Sequence, residues 1–137
     1  MGSRRQAREN ALQMLYQIEM SETGLEEVLE NFWTHHPDED GETKQFAEDL
    51  VKGVLGQKEA IDDFIVKHST NWKLTRMACV DKNLLRLAVY ELKNCKDIPI
   101  KVTLNEAIEI AKKFGSEESG SFINGVLDKI AKELKKE

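Results

Sequence analysis

The chain has few cysteines and no long apolar run, and both features exclude classes of protein. Its 137 residues include two cysteines, Cys79 and Cys95, whose spacing fits neither a CxxC pair nor a zinc-ligand set. We therefore expect two reduced packing residues and no metal site. No apolar run reaches the ~18 residues of a transmembrane helix, and no apolar segment of a signal peptide follows the first arginines. These patterns predict a cytoplasmic protein that does not bind membranes.

Motifs of common catalytic chemistry are also missing. The sequence contains no GxGxxG or GxxxxGK[ST] phosphate loop, no HExxH metal motif and no GxSxG nucleophile motif. His68 has no serine or cysteine partner suggested by the sequence, and the adjacent His35 and His36 cannot share one helical face. We expect neither an enzyme nor a cofactor.

Charge is distributed unevenly along the chain, although the net charge is only −5. Residues 22–63 carry 13 acidic and 3 basic side chains, and the rest of the chain carries 12 acidic and 17 basic ones. Such an asymmetry indicates either a polyanion-binding face at the two ends of the chain or a merely solvated surface. Charge alone does not separate these interpretations.

Apolar residues repeat at helical spacing along most of the chain and predict about seven helices and no strand. Val80–Leu92 is apolar on most sides, which is typical of a helix in the middle of a bundle. Thr103 to Glu106 fits a capping box that opens the next helix, Gly115 closes it, and Ser116 to Ser119 starts the last one. We expect Trp72 and Leu74 to cap the core.

The first predicted helix, residues 4–20, has a second stripe beside its core stripe. Arg5, Arg8 and Tyr16 fall on it, with Arg4 close by. Guanidinium groups pair with phosphate, and a tyrosine ring can stack an unpaired base. The alternative is a capped helix with a half-buried tyrosine.

The last helix has a similar off-core stripe. Phe122, Gly125 and Lys129 lie about 100° from the centre of its apolar face. A phenylalanine there, with a lysine on the same stripe, indicates a second nucleic-acid contact. The alternative is that Phe122 fills a gap between helices.

Four blocks of the sequence resemble the NusB family of bacterial transcription antitermination factors. They are RRQARENALQMLYQIE (4–19), VDKNLLRLAVYEL (80–92), NEAIEIAKKFG (105–115) and FINGVLDKI (122–130). The resemblance runs in order from Arg4 to about Ile130, and the acidic segment 22–63 contributes little to it.

The resemblance implies an all-α fold of two packed three-helix subdomains, at about residues 4–70 and 75–137, around the central helix of the C-terminal half. It also implies binding of single-stranded boxA RNA together with a small-subunit ribosomal protein, NusE. The pair joins an RNA polymerase antitermination complex on ribosomal RNA operons, and some family members self-associate into homodimers. The alternative is a helical adaptor that binds only protein.

The resemblance also assigns residues to two surfaces. The residues that it assigns to RNA binding are Arg4, Arg5, Arg8, Tyr16, Lys112, Phe114 and Phe122. The stripe on the last helix adds Lys129 to these predicted RNA-binding residues, and we also expect the Glu118 carboxylate at the mouth of the phosphate-binding surface, where it repels RNA. The residues predicted to meet the ribosomal protein lie at the start of the central helix: Asp81, Lys82 and Arg86. This chain has fewer N-terminal arginines than some relatives, which predicts that RNA binding relies more on the partner.

Overall fold

The computed structural model describes residues 3–69 and 74–135, which form seven α-helices, one 3-10 turn at Leu74–Arg76 and no strand. Trp72 lies outside the described residues, and Leu74 packs against the core. The all-α prediction is confirmed. The helices are α1 (Ser3–Ser21), α2 (Leu25–Thr34), α3 (Gly41–Gly56), α4 (Lys58–His68), α5 (Cys79–Asn94), α6 (Ile100–Phe114) and α7 (Ser119–Lys135).

Helix α5 is the centre of the bundle, as its apolar pattern predicts. It packs against α1, α3, α4, α6 and α7, and leucine, valine and alanine side chains on several of its faces are buried. Three charged residues of α5 are buried as well: Asp81, Arg86 and Glu91. Buried charges need partners, and the partners of Arg86 and Glu91 lie on neighbouring helices.

A side-chain cap fixes one helix start, and another differs from the sequence-based expectation. Helix α3 begins at Gly41, because Asp40 caps it by accepting a hydrogen bond from the Thr43 backbone N–H at 2.8 Å. Helix α6 begins at Ile100, directly after Pro99, so the capping box at Thr103 is wrong. Thr103 is buried inside the helix and donates its hydroxyl to Glu91 Oε1 at 3.3 Å.

Two glycines are required by close contacts. A β-carbon at Gly53 of α3 would overlap the ring of Tyr90 on α5, so glycine lets these helices approach. Gly115 ends α6 in an extended conformation, and a β-carbon there would collide with the Ser119 side chain at the start of α7. The turn between α6 and α7 is therefore compact.

The two halves of the chain share contacts. Helix α1 packs against α2 and α3, while α5, α6 and α7 pack against one another, and α5 also contacts α1, α3 and α4. The division into subdomains at residues 4–70 and 75–137 stays a prediction. None of the described helices is both long enough and apolar enough to span a bilayer.

Candidate functional site

The first turns of α1 carry two partly exposed arginines that contact other elements. Arg5 donates Nε and Nη2 to the two carboxylate oxygens of Glu106 on α6, both at 2.7 Å. The guanidinium carbon of Arg4 lies 4.6 Å from the ring centroid of Phe46, and its Nη1 is 4.0 Å from Asp97 Oδ2. Both side chains remain accessible to an anionic partner.

Arg8 does not face solvent, which corrects the expectation that it contacts phosphate. The residue is 5% exposed and donates Nε and Nη2 to the carboxylate of Glu91, itself 2% exposed, at 2.8 Å each. Its third nitrogen, Nη1, lies 3.7 Å from Glu106 Oε1. A buried carboxylate needs such a partner, and Arg8 therefore ties α1 to α5.

Two more cationic side chains, Lys112 and Lys113, lie in the last turn of α6. Lys113 Nζ is 3.0 Å from Glu9 Oε1, one turn beyond Arg5 on α1. Lys112 Nζ is 3.2 Å from Glu109 Oε2 on the same helix. A β-carbon at Gly120 would lie 3.4 Å from Lys112 Cγ, an ordinary van der Waals distance, so the lysine stem lies close to the start of α7.

Three aromatic residues of the predicted RNA surface differ in exposure. Phe114 and Phe122 are half-buried and pack against the core on either side of the α6–α7 turn. Tyr16 is 41% exposed. It shares the helical face of Arg5 but lies about 16 Å farther along α1, so an RNA strand bound at Arg5 would have to run along α1 to reach it.

Glu118 and Lys129 are exposed on the same side of the molecule as Phe122. The Glu118 carbonyl accepts the Phe122 backbone N–H at 3.1 Å in the turn that starts α7. Lys129 follows Phe122 by two turns, within about 20° on the helical wheel. Helix α6 connects these residues to the arginines of α1, since it pairs with α1 through Glu106 and Lys113 and packs against α7.

The start of α5 forms a second charged cluster with α1 and α4. The carboxylate of Glu19 accepts hydrogen bonds from Lys82 Nζ at 2.6 Å and from Arg86 Nη1 at 3.1 Å. Arg86 also donates Nε and Nη2 to Asp62 at 2.7 and 3.0 Å and is 5% exposed. Arg86 is buried and bonded within the chain, which corrects the expectation that it meets a partner protein.

Lys82 controls the ionisation of Glu19. Burial raises the pKa of the Glu19 carboxyl, but the hydrogen bond and positive charge of Lys82, together with hydrogen bonds from Cys79 and Asn83, outweigh burial and lower the pKa to about 2. Glu19 is therefore ionised at neutral pH. The half-buried Lys82 is the cation of this cluster nearest to solvent.

Asp81 has an unsatisfied acceptor beside this cluster. The residue is 9% exposed, and its buried Oδ1 has no hydrogen-bond partner among the residues that the structure describes. A buried acceptor without a partner costs about 1–3 kcal/mol. Near this end of α5 lies an open groove of about 360 Å³, lined by the apolar side chains Leu15, Ile18, Val54 and Leu55 and by the charged cluster.

Sequence reasoning missed the acids that hold these cations. It assigned Glu106 to a capping box and gave no role to Glu9, Glu19 or Asp62. Arg5 and Glu106 are 101 residues apart in the chain, so no rule of local spacing relates them. The contact of Phe46 with Arg4 likewise follows from the packing of α1 against α3.

These surfaces define a class of protein. Among the described helices, cationic groups and aromatic rings lie around α6. A charged cluster and the unsatisfied acceptor of Asp81 lie at the start of α5. Among residues 3–69 and 74–135, no three histidine, cysteine, aspartate or glutamate side chains are placed to hold one metal ion. The molecule is an all-α binding protein.

Sequence comparisons identify the family. The NusB family model matches residues 5–132. The transcription antitermination protein NusB of Anaeromyxobacter dehalogenans (strain 2CP-1 / ATCC BAA-258) is 53% identical over 98% of this chain and 94% of its own length. The same protein of Myxococcus xanthus (strain DK1622) is 48% identical over 99% of both chains. The chain belongs to the NusB family, and the resemblance found in its sequence is confirmed.

Solved structures agree in fold. T. maritima NusB is 44% identical and superposes with a TM-score of 0.87 over 95% of this chain and 91% of that one. A crystal structure of the antitermination factors NusB and NusE in complex with dsRNA contains a chain that is 28% identical, with a TM-score of 0.88 over 97% of this chain and 98% of that one. The family consists of non-enzymatic regulators of transcription.

Proposed function

We propose that this chain is a transcription antitermination factor that binds RNA together with NusE and joins the RNA polymerase antitermination complex on ribosomal RNA operons. Family membership supports the antitermination role. The related NusB crystallised with NusE and dsRNA supports the two partners. The RNA element is a boxA-type single strand, and the protein acts in the cytoplasm.

The RNA surface comprises the start of α1 and the α6–α7 junction. The observation that carries this assignment is that partly exposed cations and half-buried rings meet around α6. Cations neutralise phosphates, while rings with an accessible face stack splayed bases, which is the usual way to bind unpaired RNA. The proposed contacts are Arg4, Arg5, Tyr16, Lys112, Phe114, Phe122 and Lys129, with Glu118 at the edge. Arg8 has a supporting role, because its bond to Glu91 fixes α1 against α5.

The NusE surface lies at the start of α5. Asp81 offers a carboxylate oxygen without a hydrogen-bond partner in the described part of the chain, and Lys82 lies beside it with its ammonium group on Glu19. A backbone N–H or a basic side chain of NusE would satisfy that oxygen once the Asp81 side chain rotates toward solvent. Arg86 has a supporting role, because its ion pairs with Glu19 and Asp62 fix α1 and α4 to α5.

One observation favours the rival function of an adaptor that binds protein only. Arg5, Lys112 and Lys113 each have an acidic partner within the chain. Ion pairs of this kind reduce the positive potential that attracts RNA from solution. The rival predicts no RNA binding in the presence of NusE, whereas our proposal predicts weak binding alone and tighter binding with the partner.

A titration separates the two functions. Fluorescence anisotropy of a labelled boxA-type single strand is measured against this chain alone, NusE alone and an equimolar mixture, with a scrambled strand of the same composition as the control. The proposal requires that the mixture bind the boxA-type strand more tightly than either protein or the scrambled strand does. No binding of either strand would support the adaptor, and equal affinity for both strands would contradict recognition of the boxA-type sequence. Sedimentation of the free chain in the same buffer tests the predicted homodimer.

A further inference from the structure

Two guanidinium groups converge on one carboxylate at the proposed RNA surface. Glu106 receives both hydrogen bonds of the Arg5 fork at 2.7 Å, and Nη1 of Arg8 approaches its Oε1 to 3.7 Å. The bonds to Arg5 lower the pKa of the Glu106 carboxyl despite partial burial. Glu106 is therefore a fully ionised oxyanion between two arginines.

A phosphate group would bind to the same atoms. The Arg5 fork matches carboxylate and phosphate oxygens alike, with two parallel N–H···O bonds in either case. Arg8 cannot supply another fork, because Nε and Nη2 are bonded to the buried Glu91. An RNA phosphate that binds the Nε–Nη2 edge of Arg5 therefore competes with the Glu106 carboxylate for the same two donors.

We propose that Glu106 is an intramolecular competitor of RNA: it occupies the phosphate site of Arg5 in the free protein and is displaced when RNA binds. This inference rests on the proposed function and adds a regulating residue to the RNA surface. Displacement is possible because the Arg5 side chain is 42% exposed, so it can rotate toward solvent. Arg8, held in the core, stays in place.

The competitor gives the surface selectivity for the correct RNA. A polyanion that offers only charge must separate Arg5 from Glu106 before it gains a new ion pair, so its net gain is small. An RNA that also stacks bases on Phe114 and Phe122, or that contacts NusE at the same time, has additional binding energy to displace the carboxylate. The arrangement is specific because an RNA without these additional contacts must still break the Arg5–Glu106 ion pair.

The test compares two isosteric variants with the same change in charge. Glu106→Gln removes the competitor, whereas Glu109→Gln removes an acid from the same helix that pairs with Lys112 and does not touch Arg5. The probe is a labelled boxA-type single strand, titrated in the absence of NusE at several salt concentrations. We expect Glu106→Gln to bind about fivefold more tightly than the wild type, since exposed ion pairs are worth up to about 1 kcal/mol. Glu109→Gln should change affinity less.

The salt dependence gives a second signature. In the wild type, the displaced carboxylate takes up a cation and offsets part of the counterion release from RNA. Glu106→Gln should therefore steepen the slope of log K against log[salt] by about 0.7, the value for one single-strand phosphate. Adding Arg5→Ala to Glu106→Gln should abolish both gains. Equal or weaker binding by Glu106→Gln, or gains that persist without Arg5, would overturn the inference.

The wild type provides a check that does not depend on the variant folding. Carbon-13 NMR titration of the Glu106 carboxyl, whose charged neighbours are Arg5 and Arg8, should show its pKa rising toward the ordinary glutamate value when RNA binds. An unchanged pKa would contradict displacement. Failure of the proposed function looks different, because the wild type would then show no preference for the boxA-type strand even with NusE present.

Discussion

The buried pair between Arg8 and Glu91 allows a direct test of how the fold is held together. Arg8→Met removes the guanidinium and keeps an unbranched apolar stem in its place. Glu91 would then stay in the core with a single donor, the Thr103 hydroxyl at 3.3 Å. Removing one partner of a buried ion pair costs about 3–5 kcal/mol, because the remaining charge is left uncompensated.

That loss is large for a domain of this size. Domains typically unfold with a free energy of about 5–15 kcal/mol, so the variant would lose a large fraction of its stability. At about 3 °C per kcal/mol for this chain length, the melting temperature should fall by about 10–15 °C. Urea unfolding followed by circular dichroism at 222 nm measures the free energy directly.

The matched control removes both charges. Arg8→Met combined with Glu91→Leu leaves no unpaired carboxylate, and replacing a buried pair by apolar residues is often neutral. We expect the double variant to regain most of the stability that Arg8→Met loses. Below its melting transition, Arg8→Met should bind RNA within about twofold of the wild type. A stable Arg8→Met protein with weak RNA binding and a flatter salt dependence would refute this account and make Arg8 a phosphate ligand.

Four further variants test the two surfaces. Phe122→Ala should weaken RNA binding by about 1–3 kcal/mol, measured by anisotropy. Its loss of stability, measured by calorimetry, should be smaller than the ~3–5 kcal/mol of a fully buried phenylalanine. A large loss of stability with unchanged RNA binding would show that Phe122 is a core residue only. Glu118→Asn should tighten RNA binding in the same titration by removing a like charge, and weaker or equal binding would argue against its placement. Asp81→Lys should lower the affinity for NusE, measured calorimetrically, and leave RNA binding by the chain alone unchanged; retained NusE affinity would remove Asp81 from that surface. The folded pKa of Glu19, about 2, lies below its ordinary value of 4.5, so its contribution to stability is complete above about pH 4.5 and disappears as pH falls toward 2. Glu19→Gln should flatten that acid limb of the unfolding free energy, and an unchanged acid limb would contradict this assignment.

The sequence predicts a helix correctly where apolar residues repeat at helical spacing. Val80–Leu92 is apolar around its circumference, and the structure surrounds it with five helices. The start of α6 was predicted wrongly. Thr103 and Glu106 fit a capping box, but the helix had already begun at Ile100, and both side chains bond to other helices. Local hydrogen-bonding rules cannot anticipate a distant partner.

The sequence by itself determined the all-α class, the central helix and the family, because hydrophobic periodicity and motif order are properties of neighbours along the chain. Only the tertiary structure decided which cations are available to bind. Arg5 and Arg8 belong to one predicted stripe, yet Arg5 lies at the surface on Glu106 while Arg8 is buried on Glu91. The packing of α5 and α6 against α1 places Glu91 next to Arg8, although they are 83 residues apart in the chain. It likewise places Glu106 next to Arg5, 101 residues away. An ion pair depends on distance in space, which the order of residues does not specify.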